Sequence, residues 1–145
     1  MQESKFQVIN WKKWKAISLL LKNTKEELQN NIKAISYDNS LPGGPHKTIF
    51  EKYNKLIDML EVYDKHIEMY DTIVNHLENS ITSLLNEDQR KVIIIYANYP
   101  NKGQSDEREK AALEKGYSRS VFYQIANESF EILDTVLLLS KQDNK

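Results

Sequence analysis

From Ile49 to Leu84 the apolar positions recur with alternating spacings of four and three: Ile49, Tyr53, Leu56, Leu60, Tyr63, Ile67, Tyr70, Val74, Leu77, Ile81 and Leu84. A period of 3.5 is the a/d seam of a coiled coil. It predicts one uninterrupted helix, roughly 50 Å long at 1.5 Å per residue. A seam of that length requires a partner. Upstream, Trp14, Ile17, Leu21, Leu28, Ile32 and Ile35 share one helical face from Trp11 onward, and residues 1 to about 10 read as a short lead-in. Between the two patterns, Asp38, Asn39, Ser40 and Pro42-Gly43-Gly44-Pro45 make a turn or loop over 38–47, with His46 inside it. The first segment therefore folds back on the seam as a helical hairpin, or the seam meets its own copy in a homodimer. Three tyrosines in the seam are bulky for a tight two-stranded coil and favour a bundle in which both happen.

Beyond Leu84 the pattern shortens. Asn86 can cap a helix, with Gln89 three residues on as its capping-box partner. Leu84, Leu85, Val92, Ile93, Ile95 and Tyr96 make that segment's apolar side. Asn98 to Gly103 is a loop by its Pro, Gly and Asn content. Ser105 can cap the next helix, whose first turn carries Asp106, Glu107 and Glu109. Gly116 suits the left-handed end of that helix, and Ser118 the cap of the following one. There Phe122, Ile125, Phe130, Leu133 and Val136 or Leu137 form one apolar face. Arg119, Ser120, Val121, Gln124 and Asn127 fall off that face near the helix start, where a recognition helix carries its groove-reading side chains. Gln and Asn pair with adenine, Arg with guanine, and Val can touch a thymine methyl. A plain three-helix bundle shows the same caps and stripe, so the pattern by itself leaves both readings open.

Composition narrows the classes. The 145 residues hold 40% hydrophobic and 28% charged side chains, 4 Gly, 3 Pro and no Cys. So few breakers point to an all-α chain, and the absence of cysteine removes disulfides and thiolate metal sites. A net charge of −1 argues against a generically basic nucleic-acid coat but leaves room for a local phosphate-binding patch. Seven lysines precede residue 40 against four acids; interleaved with Trp11 and Trp14, they read as a solvated outer face with the tryptophans packed inside. The apolar runs fall far short of the ~20 residues of a membrane span and no signal peptide is evident, so no membrane partner is expected and the expected location is the cytoplasm. Asp58, Glu61, Asp64, His66, Glu68, Asp71, His76 and Glu78 raise a metal question, but no complete ligand motif forms, and they read as a charged outer face. No cofactor is expected. There is no phosphate loop or nucleophile elbow, and the chain is not read as an enzyme.

The order of parts, a Leu-Pro-Gly-Gly-Pro loop, a long heptad helix, then Ser83-Leu84-Leu85-Asn86-Glu87-Asp88-Gln89-Arg90-Lys91-Val92 and Gly116-Tyr117-Ser118-Arg119-Ser120-Val121-Phe122-Tyr123, resembles the ArpU and RinA type of phage and prophage transcriptional regulators of Gram-positive bacteria. Their C-terminal half is similar to region 4 of sigma factors. The likeness covers about 41–138 and is sharpest at 84–96 and 116–133. By position it implies Ser118 as the cap, Arg119 as a phosphate contact, Ser120, Val121 and Gln124 facing base edges, and Tyr123 reaching sugar or phosphate. It further implies activation of late phage genes, such as packaging or lysis genes, in a bacterial host cell. Where that family carries Arg-Tyr near the end of the first helix, this chain has Ile95-Tyr96-Ala97-Asn98, and residues 86–145 carry nine basic and ten acidic side chains.

The expectation is thus a helical hairpin with a coiled-coil-like helix over 1–85, and a three-helix helix-turn-helix unit over 86–145. Helix 118–138 would enter the major groove of double-stranded promoter DNA. The protein would act as a homodimer, with RNA polymerase a further candidate partner. The alternatives are a coiled-coil adaptor with a degenerate helix-turn-helix and a DNA-packaging recognition subunit.

Overall fold

A computed structural model of the chain describes residues 2–38 and 46–143, with side chains for 2–34 and 51–137. It is all-helical, with no strand among the described residues: α1 Glu3–Asp38, α2 His46–Leu84, α3 Glu87–Asn98, a 3-10 turn Lys102–Gln104, α4 Ser105–Glu114 and α5 Arg119–Asp143. Neither α1 nor α2 contains Gly or Pro, so nothing interrupts their hydrogen-bond ladders. The Pro-Gly loop expected at 38–47 falls mostly outside the described residues. His46, read as a loop residue, instead opens α2. None of the described helices is long and apolar enough to cross a membrane.

The chain falls into two compact units, Met1–Trp14 with Ile73–Lys145, and Lys15–Thr72. This grouping differs from a division at 85/86, and the reason is packing. Val8 from α1 and Leu77 and Ile81 from α2 belong to the same buried cluster as Val92, Phe122, Phe130 and Leu133. The opening residues are therefore not a lead-in. α1 starts at Glu3 because α5 caps it: the Ser4 amide donates to Asp134 Oδ1 at 2.9 Å and the Ser4 hydroxyl donates to the Phe130 carbonyl at 2.9 Å. Gln2 adds a bond to Asp134 Oδ2 at 3.0 Å. A carboxylate at a helix start satisfies free N–H groups and the positive end of the dipole. Trp11 donates its indole N–H to Glu78 at 3.3 Å.

The heptad seam ends one residue out of phase. Val74, Leu77 and Ile81 are buried, but Leu84 is 41% exposed and Leu85 takes its place in the core. α2 stops at Leu84 and Asn86 caps α3, so the chain turns there and the helical period no longer governs which side chain faces inward.

In the unit 15–72, the two helices run antiparallel. The Ser18 hydroxyl donates to Asp71 Oδ1 at 2.5 Å, Lys22 pairs with Asp71 Oδ2 at 3.0 Å, and Lys25 pairs with Asp64 at 2.5 Å. The seam residues Tyr53, Leu56, Leu60, Tyr63, Ile67 and Tyr70 are half-buried. The Ser18 hydrogen bond, with Lys22 assisting against partial desolvation, holds the Asp71 carboxyl below its ordinary 3.8. Three acids of the expected outer face, Asp64 and Asp71 here and Glu78 in the other unit, thus bond to α1.

Candidate nucleic-acid interface

α3, α4 and α5 pack on one another. α3 begins with the capping box expected from its sequence: Gln89 N–H donates to Asn86 Oδ1 at 2.9 Å, and Asn86 N–H to Gln89 Oε1 at 3.0 Å. The loop after α3 is shaped in part by the same device, with Asn101 N–H donating to Gln104 Oε1 at 3.1 Å. Ser105 does not cap α4; it is the first residue of that helix, because the 3-10 turn runs directly into it.

The corner between α4 and α5 is built as its glycine suggests. Gly116 has φ +92°. Its N–H donates to Leu113 O at 3.0 Å, and Tyr117 N–H reaches back to Ala112 O at 2.9 Å. These two bonds are the Schellman pattern, which needs a left-handed residue at that place. The Tyr117 hydroxyl then donates to Asp88 on α3 at 2.6 Å, which ties the turn to the start of the unit. That bond raises the Tyr117 pKa to about 12, since ionisation would break it and set a phenolate beside Asp88 and Glu87. The Ser118 hydroxyl accepts from Val121 N–H at a long 3.4 Å, and its carbonyl accepts from Phe122 N–H at 2.8 Å. The cap is in place but weak.

Arg108 holds the corner from within, and nothing in the chain's periodicity singles it out. It is only 5% exposed. Its Nε donates to Tyr99 O at 2.8 Å, one terminal nitrogen to Asn101 O at 2.8 Å, and the other to the Tyr123 hydroxyl at 3.3 Å. The guanidinium lies over the Tyr96 ring at 4.4 Å. Tyr96 in turn stacks on Phe122 and meets Phe130 edge-on. One planar fork therefore joins the α3–α4 loop, α4 and α5.

On α5 the first turns carry the expected residues in two different states. Ser120, Val121, Gln124 and Asn127 are exposed, and at 100° per residue Ser120, Gln124 and Asn127 share one outward face. Gln124 reaches Glu128 at 3.4 Å. Arg119 is 78% exposed at its side chain, yet its Nε donates to Glu109 Oε1 at 3.1 Å. Tyr123 is half-buried, and its hydroxyl donates to the same Glu109 oxygen at 3.1 Å while accepting from Arg108. The structure brings Arg119 and Tyr123 together around Glu109 and sets them apart from the open row. Glu128 and Glu131 lie on the outward face beyond Gln124 and Asn127. Among the described residues no group of three or more His, Asp or Glu is placed to hold a metal ion.

No family model, no curated protein and no solved structure matches this chain.

The site thus stands on its own geometry. It is a braced helix–turn–helix corner whose second helix starts with an exposed row of hydrogen-bonding side chains. The amide and hydroxyl groups of that row are those that read base edges, and the exposed Arg119 sits at the helix start.

Proposed function

We propose that this protein is a DNA-binding transcriptional regulator of phage or prophage, acting as a homodimer, with the N-terminal turns of α5 in the major groove. The carrying observation is the exposed row Ser120, Gln124 and Asn127, with Val121 beside it, at the start of a helix fixed by the Gly116 turn and the Arg108 fork. Arg119, itself 78% exposed, contacts phosphate once it leaves Glu109, a half-buried carboxylate that keeps the bond from the Tyr123 hydroxyl. Tyr123 acts through Arg108 and Glu109 rather than on the sugar–phosphate backbone. The resemblance of 41–138 to phage regulators supports activation of late genes, and RNA polymerase as a further partner. The second reading, a protein-binding adaptor, draws on Glu128 and Glu131 beside the same row, which oppose a phosphate backbone.

The test is retention of pooled genomic fragments by the purified protein at two salt concentrations, followed by sequencing. One short site should be enriched, with affinity falling as salt rises. On that site Arg119→Ala should weaken binding across sequences, and Gln124→Ala should relax the choice at one base pair by about 1–3 kcal/mol. A folded sample that enriches nothing at low salt fails this reading and favours the adaptor.

A further inference from the structure

Arg119 is the first residue of α5. A cation there meets the positive end of the helix dipole, an unfavourable place for it. The helix end and the guanidinium both call for an anion. In the free protein Glu109 of α4 supplies it, its Oε1 accepting from Arg119 Nε at 3.1 Å. The Arg119 side chain is 78% exposed and that of Glu109 only 24%.

Glu109 is anchored where it stands. Arg108 can only donate, so the Tyr123 hydroxyl accepts from it at 3.3 Å and has its single proton left for Glu109 Oε1, at 3.1 Å. Arg108 is itself held by the Tyr99 and Asn101 carbonyls. The carboxylate therefore belongs to the brace of the corner. Arg119 is tied to it more loosely. A guanidinium fork commonly grips a carboxylate through two parallel bonds, whereas here Arg119 uses Nε on an oxygen that it shares with Tyr123. Of the two partners, the exposed arginine is the one free to turn away.

A phosphate approaching the start of α5 thus meets a cation that an anchored anion already neutralises. Contact requires Arg119 to turn from Glu109, and the carboxylate stays behind, half-buried and short of its cation. Both effects oppose backbone binding, and neither depends on base sequence. The nine basic and ten acidic side chains of 86–145 leave no surplus positive charge to mask them.

We propose that Glu109 is an electrostatic latch on Arg119. It lowers the affinity of this protein for DNA of every sequence alike, so that retention depends on the base contacts of Ser120, Gln124 and Asn127. The proposal rests on the DNA-binding reading and adds to it a residue that sets the strength of that binding.

Binding of the full chain is measured across salt concentrations, to a random-sequence duplex and to the site enriched from genomic fragments. Glu109→Gln keeps the side-chain shape and an acceptor for the Tyr123 hydroxyl but removes the charge. It should tighten binding to both duplexes by the same factor, about two- to fivefold, and leave their ratio unchanged. In an Arg119→Ala background the same substitution should do little. Glu109→Met, uncharged and of similar length, is measured beside it, with tryptophan fluorescence verifying that each variant is folded. Unchanged binding by both variants overturns the latch. Weaker binding overturns it too, and makes Glu109 the residue that orients Arg119. An equal gain with and without Arg119 also overturns it, because Glu109 then acts as a general repulsive charge. In these three cases the wild type still binds DNA and the functional reading stands. A folded wild type that binds neither duplex at low salt fails the functional reading, and the latch with it.

Discussion

Arg108→Ala should be among the most destabilising single changes in the C-terminal unit. The arginine makes two hydrogen bonds of 2.8 Å to the Tyr99 and Asn101 carbonyls, a longer one of 3.3 Å to the Tyr123 hydroxyl, and a stacking contact with Tyr96. Bonds from a charged donor contribute about 1.5–3 kcal/mol each, and the ring contact about 0.5–2 kcal/mol. Against these stands the cost of desolvating a guanidinium, several kcal/mol, which alanine no longer carries. The net loss should be about 3 kcal/mol. For a unit of about 90 residues that corresponds to a fall of roughly 15 °C in Tm. Both tryptophans, Trp11 and Trp14, lie in this unit, so tryptophan fluorescence follows its unfolding without interference from the other one. Arg108→Lys is the informative comparison. It keeps a cation near Tyr96 but lacks the fork that serves two carbonyls at once, and should lose about half as much. An alanine variant within about 1 kcal/mol of wild type would refute the bracing role, as would a lysine variant no better than alanine.

Gly116→Ala should cost about 1–2 kcal/mol, read by denaturant unfolding with tryptophan fluorescence. An added Cβ there meets nothing within 4 Å, so the cost is that of holding φ at +92°. An unchanged midpoint would mean the Schellman turn relaxes freely. For Tyr117, the folded protein favours the protonated phenol, with the pKa moved from 10.0 to about 12. Its contribution to stability is whole below pH 10 and is lost as pH rises from 10 towards 12. An ultraviolet titration of phenolate should show this late-ionising tyrosine, and Asp88→Asn should return it towards the ordinary value; no change in that variant would break the assignment of cause.

Much of the fold is legible along the chain because its signals are local. The 3.5-residue period of α2, the Asn86–Gln89 box and the left-handed Gly116 each involve residues within a turn or two of one another, and each is present as read except at the seam's last position, where Leu85 replaces Leu84 in the core. The open row Ser120, Val121, Gln124 and Asn127 follows from the same periodicity. What escapes a linear reading depends on distant partners. The start of α1 is set by Asp134 and Phe130, more than 120 residues away. Tyr123 differs from its neighbours because Arg108 and Glu109 on α4 claim its hydroxyl.

The sequence by itself determined that the protein is all-helical, where most helices begin and end, and which side of α5 stays open. Those outcomes rest on caps, glycine and apolar spacing, whose energies act between near neighbours. The tertiary structure decided that the first helix turns join the C-terminal core and that Arg108 is its buried brace. It also decided that Arg119 and Tyr123 share Glu109. These depend on which surfaces meet in space, and burial is a property of the packed assembly rather than of any stretch of chain.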